Sequence, residues 1–143
     1  MNVAAILKSK GRAVATAKPD MTLQAVIEKL AAKRIGSLVI VGPNGTVAGI
    51  ISERDIINAI AKQGASCLQQ PVSEYMTRQV VICSEADTLD QLMATMTAGR
   101  FRHIPVMEDD ALVGIVSIGD VVKHHIAEVE MEASALRTYL LAG

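Results

Sequence analysis

In TLQAVIEKLAAKR, Leu23, Val26, Ile27 and Leu30 recur at three-and-four spacing, which predicts an amphipathic helix with one apolar face. The period then changes. SLVIV is an unbroken, largely β-branched run of the kind that forms a buried strand. Gly42-Pro43-Asn44-Gly45 follows as a turn, since proline fixes φ while asparagine and glycine tolerate positive φ. TVAGII predicts a return strand, and DIINAIAKQ a second helix that closes at Gly64. Further along, Thr88-x-x-Gln91 has the spacing of a capping box and opens a helix carrying Leu89, Leu92, Met93 and Met96. HIPVM, a turn at Glu108-Asp109-Asp110 and ALVGIV predict a second hairpin, and DVVKHHI starts a last helix. Pro105 cannot donate to a sheet ladder, so its strand should be an edge, or the proline should sit at the strand's start.

The order repeats because the sequence repeats. GIISERDII, beginning at Gly49, returns as GIVSIGDVV, beginning at Gly114. A slide of 66 residues sets Thr22 on Thr88 and Arg34 on Arg100; after the turn, a slide of 65 sets Ser52 and Asp55 on Ser117 and Asp120. The repeat spans roughly 3–65 and 72–126. It divides the chain into a first unit (1–68), a second unit (69–127) and a C-terminal helical extension (128–143). A unit of about 60 residues buries too little surface to be comfortable alone, so the two units should cover each other's sheets about a pseudo-twofold axis.

Composition narrows the function classes. Half of the 143 residues are apolar, but Phe101, Tyr75 and Tyr139 are the only aromatics, so the core is aliphatic and the stacking platforms of single-strand nucleic-acid binders are absent. A net charge of −1 without a long basic run gives a phosphate backbone little attraction, so no nucleic-acid partner is expected. Cys67 and Cys83 lack CxxC spacing and read as free thiols of a reducing compartment. With no signal-peptide core and no membrane-length apolar window, the expected location is cytoplasmic and soluble.

Together, the two G-φ-φ-S-x-x-D stretches, the paired Thr-Leu helix starts and the RHIPV strand resemble a tandem CBS-domain pair, or Bateman module, over roughly 125 of the 143 residues. The resemblance implies an α+β fold: two β-α-β-β-α units paired through their sheets, here with an extended C-terminal helix. It also implies a stand-alone regulatory module and not an enzyme. Such modules bind adenosine ligands between the units: AMP is the first expectation here, with ADP, ATP, NAD(H) and S-adenosylmethionine behind it. It further implies a homodimer acting on a regulated enzyme or transporter in trans.

The residues make chemical sense beside the resemblance. Each Ser-x-x-Asp lies where a strand gives way to a helix, and the free N–H groups and dipole there favour an anion. An ionised aspartate only accepts hydrogen bonds, which suits a ribose diol. The competing reading is local, because the same spacing makes a capping box. Carried over residue by residue, the resemblance implies a first cleft of Ser52, Arg54, Asp55, Ile82, Arg102 and His103. A second cleft would combine Thr16, Gly36, Ser37, Leu38, Ser117 and Asp120. Arginine binds phosphate with charge-assisted, often bidentate hydrogen bonds, so phosphate recognition should lean on the first cleft. Arg54 and Arg102 also admit a reading as solvated edge charges, and His103 as a surface histidine.

Other motifs carry less. His124 and His125 are adjacent on a helix, about 100° apart, and predict no shared metal. No nucleophile–base pair offers catalysis, and GPNGT lacks the lysine of a phosphate loop. In the tail, Val122, Ile126, Val129, Ala133, Leu136 and Leu140 follow heptad spacing, which predicts a self-association seam or a cover for the module's own core. A non-catalytic, homodimeric scaffold with vestigial clefts is the alternative function.

Overall fold

The computed structural model describes residues 1–142. The first half runs α1 (Val3–Lys10), β1 (Thr16–Ala17), α2 (Leu23–Lys33), β2 (Ser37–Val41), β3 (Val47–Ser52) and α3 (Glu53–Gln63). Short 3-10 turns at Gly64–Gln69 and Val72–Glu74 lead to α4 (Leu89–Gly99), β4 (His103–Glu108), β5 (Ala111–Ser117) and α5 (Ile118–Ala142). The α+β class and the long C-terminal helix are as the sequence predicts.

The repeat is visible in the way elements start and stop. Thr22 accepts a hydrogen bond from the N–H of Ala25, and Thr88 from that of Gln91, so both helices begin on a hydroxyl cap. They end alike too: the repeat-related Arg34 and Arg100 both close their helices in the left-handed region, at φ 55° and 57°.

The first sheet has the order β1-β2-β3, with β1 parallel to β2 and β2 antiparallel to β3, Ser37 facing Ser52. The second sheet pairs β4 with β5 antiparallel, His103 facing Ser117. Cys83 stands in for a third strand: its N–H donates to Pro105 O (3.0 Å), and its own carbonyl accepts from Met107 (2.9 Å). Pro105 lies inside β4, which pairs with β5 on one side and carries only the single Cys83 bridge on the other.

Each sheet backs onto its own aliphatic core, but the ends of the chain are exchanged. Leu23, Val26, Leu38, Ile40 and Ile51 pack with Val72 and Met76, which come from beyond the first unit as the repeat bounds it. Leu89, Leu92, Ile104, Val106 and Val116 pack with Val3, Ile6 and Leu7 of α1. The sequence boundary at 68/69 therefore does not bound the packing. Residues 3–10 complete the second core and 72–76 the first. The exchange obeys the pseudo-twofold relation: Asn2 bridges Thr88, and Pro71 bridges Thr22, the two repeat-related caps.

This exchange explains the twice-written glycine. A Cβ at Gly49 would lie 2.7 Å from Met76 Sδ and 2.8 Å from Thr77 O; at Gly114 it would lie 2.6 Å from Leu7 Cδ2. Each glycine seats the segment arriving from the other unit.

α5 answers one open question. Of its residues only Val121 is buried, while Val122, Ile126, Val129, Leu136 and Leu140 are all roughly half exposed or more. The heptad stripe does not cover the module's own core. No helix of the described residues is long and apolar enough to cross a membrane.

Candidate functional site

The β3–α3 junction presents Ser52 and Asp55. Ser52 Oγ accepts from the Asp55 N–H (3.3 Å), while Asp55 Oδ2 accepts from the N–H (3.0 Å) and hydroxyl (3.1 Å) of Ser52. The capping box is thus present. It engages one carboxylate oxygen and leaves Asp55 without a cationic partner among the described residues.

Beside this junction lies a cavity of about 340 Å³, within the roughly 300–1,000 Å³ range of ligand pockets. The first unit contributes Gly36, Ile50, Ser52, Glu53, Arg54 and Asp55 to its walls, and the second contributes Arg100, Phe101, Arg102 and His103. Thr77, Gln79, Val80 and Val81, from the stretch of the second unit that precedes α4, complete the lining. Five of the six residues predicted for the first cleft come together here. The exception is Ile82, which is 53% exposed and outside the lining; Val80 and Val81 supply the apolar wall instead.

The cleft contains residues that sequence reasoning missed. Gly36, assigned to the second cleft, lines the first, because Ser37 faces Ser52 in the sheet and the residue before it falls beside α3; Gly36 O accepts from Glu53 N–H at 3.0 Å. Arg100 adds a third guanidinium, and its repeat relation to Arg34 was the available signal. Phe101 lies over Gly99, where a Cβ would come within 1.9 Å of the ring. Thr77 is held by reciprocal backbone bonds with Ile50 (3.0 and 2.8 Å). Only the structure, not a local motif, identifies it.

His103 adds no fixed charge to the three guanidiniums. Burial pushes its pKa below the ordinary 6.5, as do the charges of Lys10 and Arg102, with Asp120 and Glu53 only partly opposing them. At neutral pH it is a neutral imidazole with one N–H to donate. Sign follows: the folded state holds its histidine proton less tightly than the unfolded chain. Its contribution to stability is therefore complete above about pH 6.5 and is lost as the pH falls through the lowered folded value.

The second cleft is built differently. Ser117 N–H donates to Asp120 Oδ2 (2.9 Å) and Asp120 N–H donates to Ser117 Oγ (3.1 Å), repeating the cap. Leu38 is fully buried in the first core and Ser37 nearly so, because SLVIV is covered on both faces. Thr16 is tied into β1 opposite Val39, and its carbonyl accepts from Lys29. Lys10 Nζ bonds Asp120 Oδ2 (2.6 Å) and Ile115 O (2.9 Å).

Among the described residues no group of three or more His, Cys, Asp or Glu is placed to hold a metal ion. Cys67 and Cys83 are free and buried; burial, with Asp87 and Glu108 nearby, pushes the Cys83 thiol up to about 12, which makes it a poor nucleophile.

The CBS domain family matches this chain twice, over residues 10–62 and 72–126. The chain belongs to the CBS domain family. Among relatives of this CBS pair, the mitochondrial CBS domain-containing protein CBSX3 of Arabidopsis thaliana is 34% identical over 147 residues, covering 96% of this chain and 71% of the relative. The CBS domain-containing protein YhcV of Bacillus subtilis is 30% identical, covering 86% of each. Among solved structures, the CBS-domain containing protein ATU1752 of Agrobacterium tumefaciens is 50% identical with a TM-score of 0.84, over 85% of this chain and 91% of that one. The CBS domain pair of protein MJ0100, crystallised with 5′-methylthioadenosine and S-adenosyl-L-methionine, is 26% identical with a TM-score of 0.79, over 90% of this chain and 98% of its own.

Proposed function

We propose that this CBS pair is a regulatory module that binds AMP, or a closely related adenosine ligand, in the cleft between Asp55 and Arg102. The observation carrying this reading is the convergence in one cavity of an aspartate without a cationic partner from one unit and three arginines, two of them from the other. Asp55 suits a ribose diol, the guanidiniums suit a phosphate, and Ile50, Val80, Val81 and Phe101 offer an apolar wall for a purine. AMP leads because one phosphate matches one arginine-lined end; ADP, ATP, NAD(H) and S-adenosylmethionine are the alternatives. Ligand bridging the two units would favour one inter-unit geometry over others, which is a population shift and needs no catalysis. The regulated enzyme or transporter would act in trans.

The test is a melting panel across adenine nucleotides, with guanine and cytosine nucleotides as controls. At about 100 times Kd a ligand adds about 2.7 kcal/mol, so AMP should raise Tm by roughly 5–10 °C. No shift with any adenine ligand removes this reading.

We also propose a homodimer. Ile57 and Val122, related by the repeat, are 65% and 48% exposed, and the apolar stripe continues down α5. A patch written into both units is self-complementary about a twofold axis, so a second copy is the occupant it suits. Sedimentation should return twice the 15.2 kDa chain mass, and Val122→Asp the chain mass alone. A monomeric parent protein at micromolar concentration contradicts this.

A further inference from the structure

We propose that Lys10 decides which of the two clefts takes a nucleotide, because its ammonium occupies the second as a tethered counterion of Asp120. The inference rests on the nucleotide reading above and adds to it a rule for site choice.

The repeat allows position-by-position comparison. Ile50 and Asp55 of the first unit correspond to Ile115 and Asp120 of the second. At the first cleft, Ile50 is bridged by the extended backbone of Thr77, and Asp55 is left facing the arginine-lined cavity. At the second, no such backbone bridge forms among the described residues. Lys10 reaches in from α1 and spans Ile115 O (2.9 Å) and Asp120 Oδ2 (2.6 Å). The Ile50 carbonyl that accepts from Thr77 N–H corresponds to the Ile115 carbonyl that accepts from the Lys10 ammonium, and only in the second unit does the same donor also hold the aspartate.

The backbone that carries Lys10 is fixed in place by packing. Leu7 seats on Gly114, and Asn2 bridges Thr88, so α1 is fastened at two points to the second unit. Gly11, at φ 101°, ends the helix with its N–H on Leu7 O (2.8 Å), which fixes Lys10 in the last turn. The side chains of Lys10 and Asp120 are 31% and 22% exposed, so solvent screens the pair only in part.

The competition is one of donors. A ribose diol brings O–H donors to the carboxylate, and an ammonium already donating to Oδ2 takes the oxygen they need. Burial raises the Asp120 pKa, but hydrogen bonds from Lys10 and Ser117 outweigh it and hold the carboxyl below its ordinary value. That direction agrees with a committed ion pair. A nucleotide must displace it before binding.

The experiment is calorimetric titration of AMP into the full chain as parent, Lys10→Met and Lys10→Met/Asp55→Asn. Methionine keeps the apolar stem and removes the charge. One AMP per chain is expected for the parent and two for Lys10→Met; the double variant should keep the newly opened site while losing tight binding at the first. Two AMP per parent chain, or one per Lys10→Met chain, overturns the proposal. Lys10→Gln repeats the test should the methionine variant be unstable. If no form binds AMP, the nucleotide reading fails, and carboxyl NMR then judges the tether. The Asp120 titration midpoint should move upward in Lys10→Met; an unmoved midpoint overturns it.

Discussion

Asp55→Asn is expected to weaken AMP binding about 10- to 100-fold, with little change in folding. Hydrogen bonds to a charged group contribute about 1.5–3 kcal/mol, equivalent to that range of affinity. Asparagine keeps an oxygen able to accept from Ser52 N–H, so the cap that Asp55 makes at 3.0 Å survives in kind. What disappears is the negative charge facing the ligand. Arg102→Ala should cost a similar factor from the opposite wall, through the phosphate. Asp120→Asn should leave the first cleft's affinity nearly unchanged, because Asp120 already answers to Lys10. Calorimetry on the three variants checks this. Loss at Asp120 with Asp55 spared would reverse the assignment of the clefts.

Gly49→Ala is expected to destabilise the chain by about 2–3 kcal/mol, the upper part of the range for overpacking, lowering Tm by roughly 5–10 °C. The added methyl would meet Thr77 O at 2.8 Å, and that carbonyl is itself bonded to Ile50. A backbone held in a bridge cannot step aside. Gly114→Ala should cost only about 1 kcal/mol, because its nearest neighbours are the terminal methyls of Leu7, at 2.6 and 2.9 Å, which can rotate. Thermal unfolding of the pair measures the difference. Equal losses would mean that the two seats are equally rigid, against the contrast between a backbone bridge and a side-chain contact.

These two sites also show what sequence could and could not carry. The Ser-x-x-Asp stretches, the Thr caps and the strand–helix order are local, set by residues within a few positions of one another, and each is where the pattern puts it. The exchange of ends is not local. Val3, Ile6 and Leu7 form a short apolar run whose partners begin some 76 residues later at Cys83, and nothing within α1 announces them. For the same reason Lys10 read as an unremarked charge: its partner is 110 residues away. Leu38 shows a limit of another kind. A continuous apolar run fixes a buried strand but not which side chains turn toward a cleft, and here Leu38 turns into the core. Gly36 was assigned to the other cleft, and Val80 and Val81 line the wall where Ile82 was expected, within a site whose charged members, Arg54, Asp55 and Arg102, were implied by the family resemblance.

The most direct test is a crystal structure of the full chain grown with AMP. Density for the ribose at Asp55 and for the phosphate among Arg54, Arg100 and Arg102 is the expected result. AMP seated elsewhere, or an empty first cleft at saturating AMP, would contradict the claim that two half-sites from opposite units converge on one adenylate.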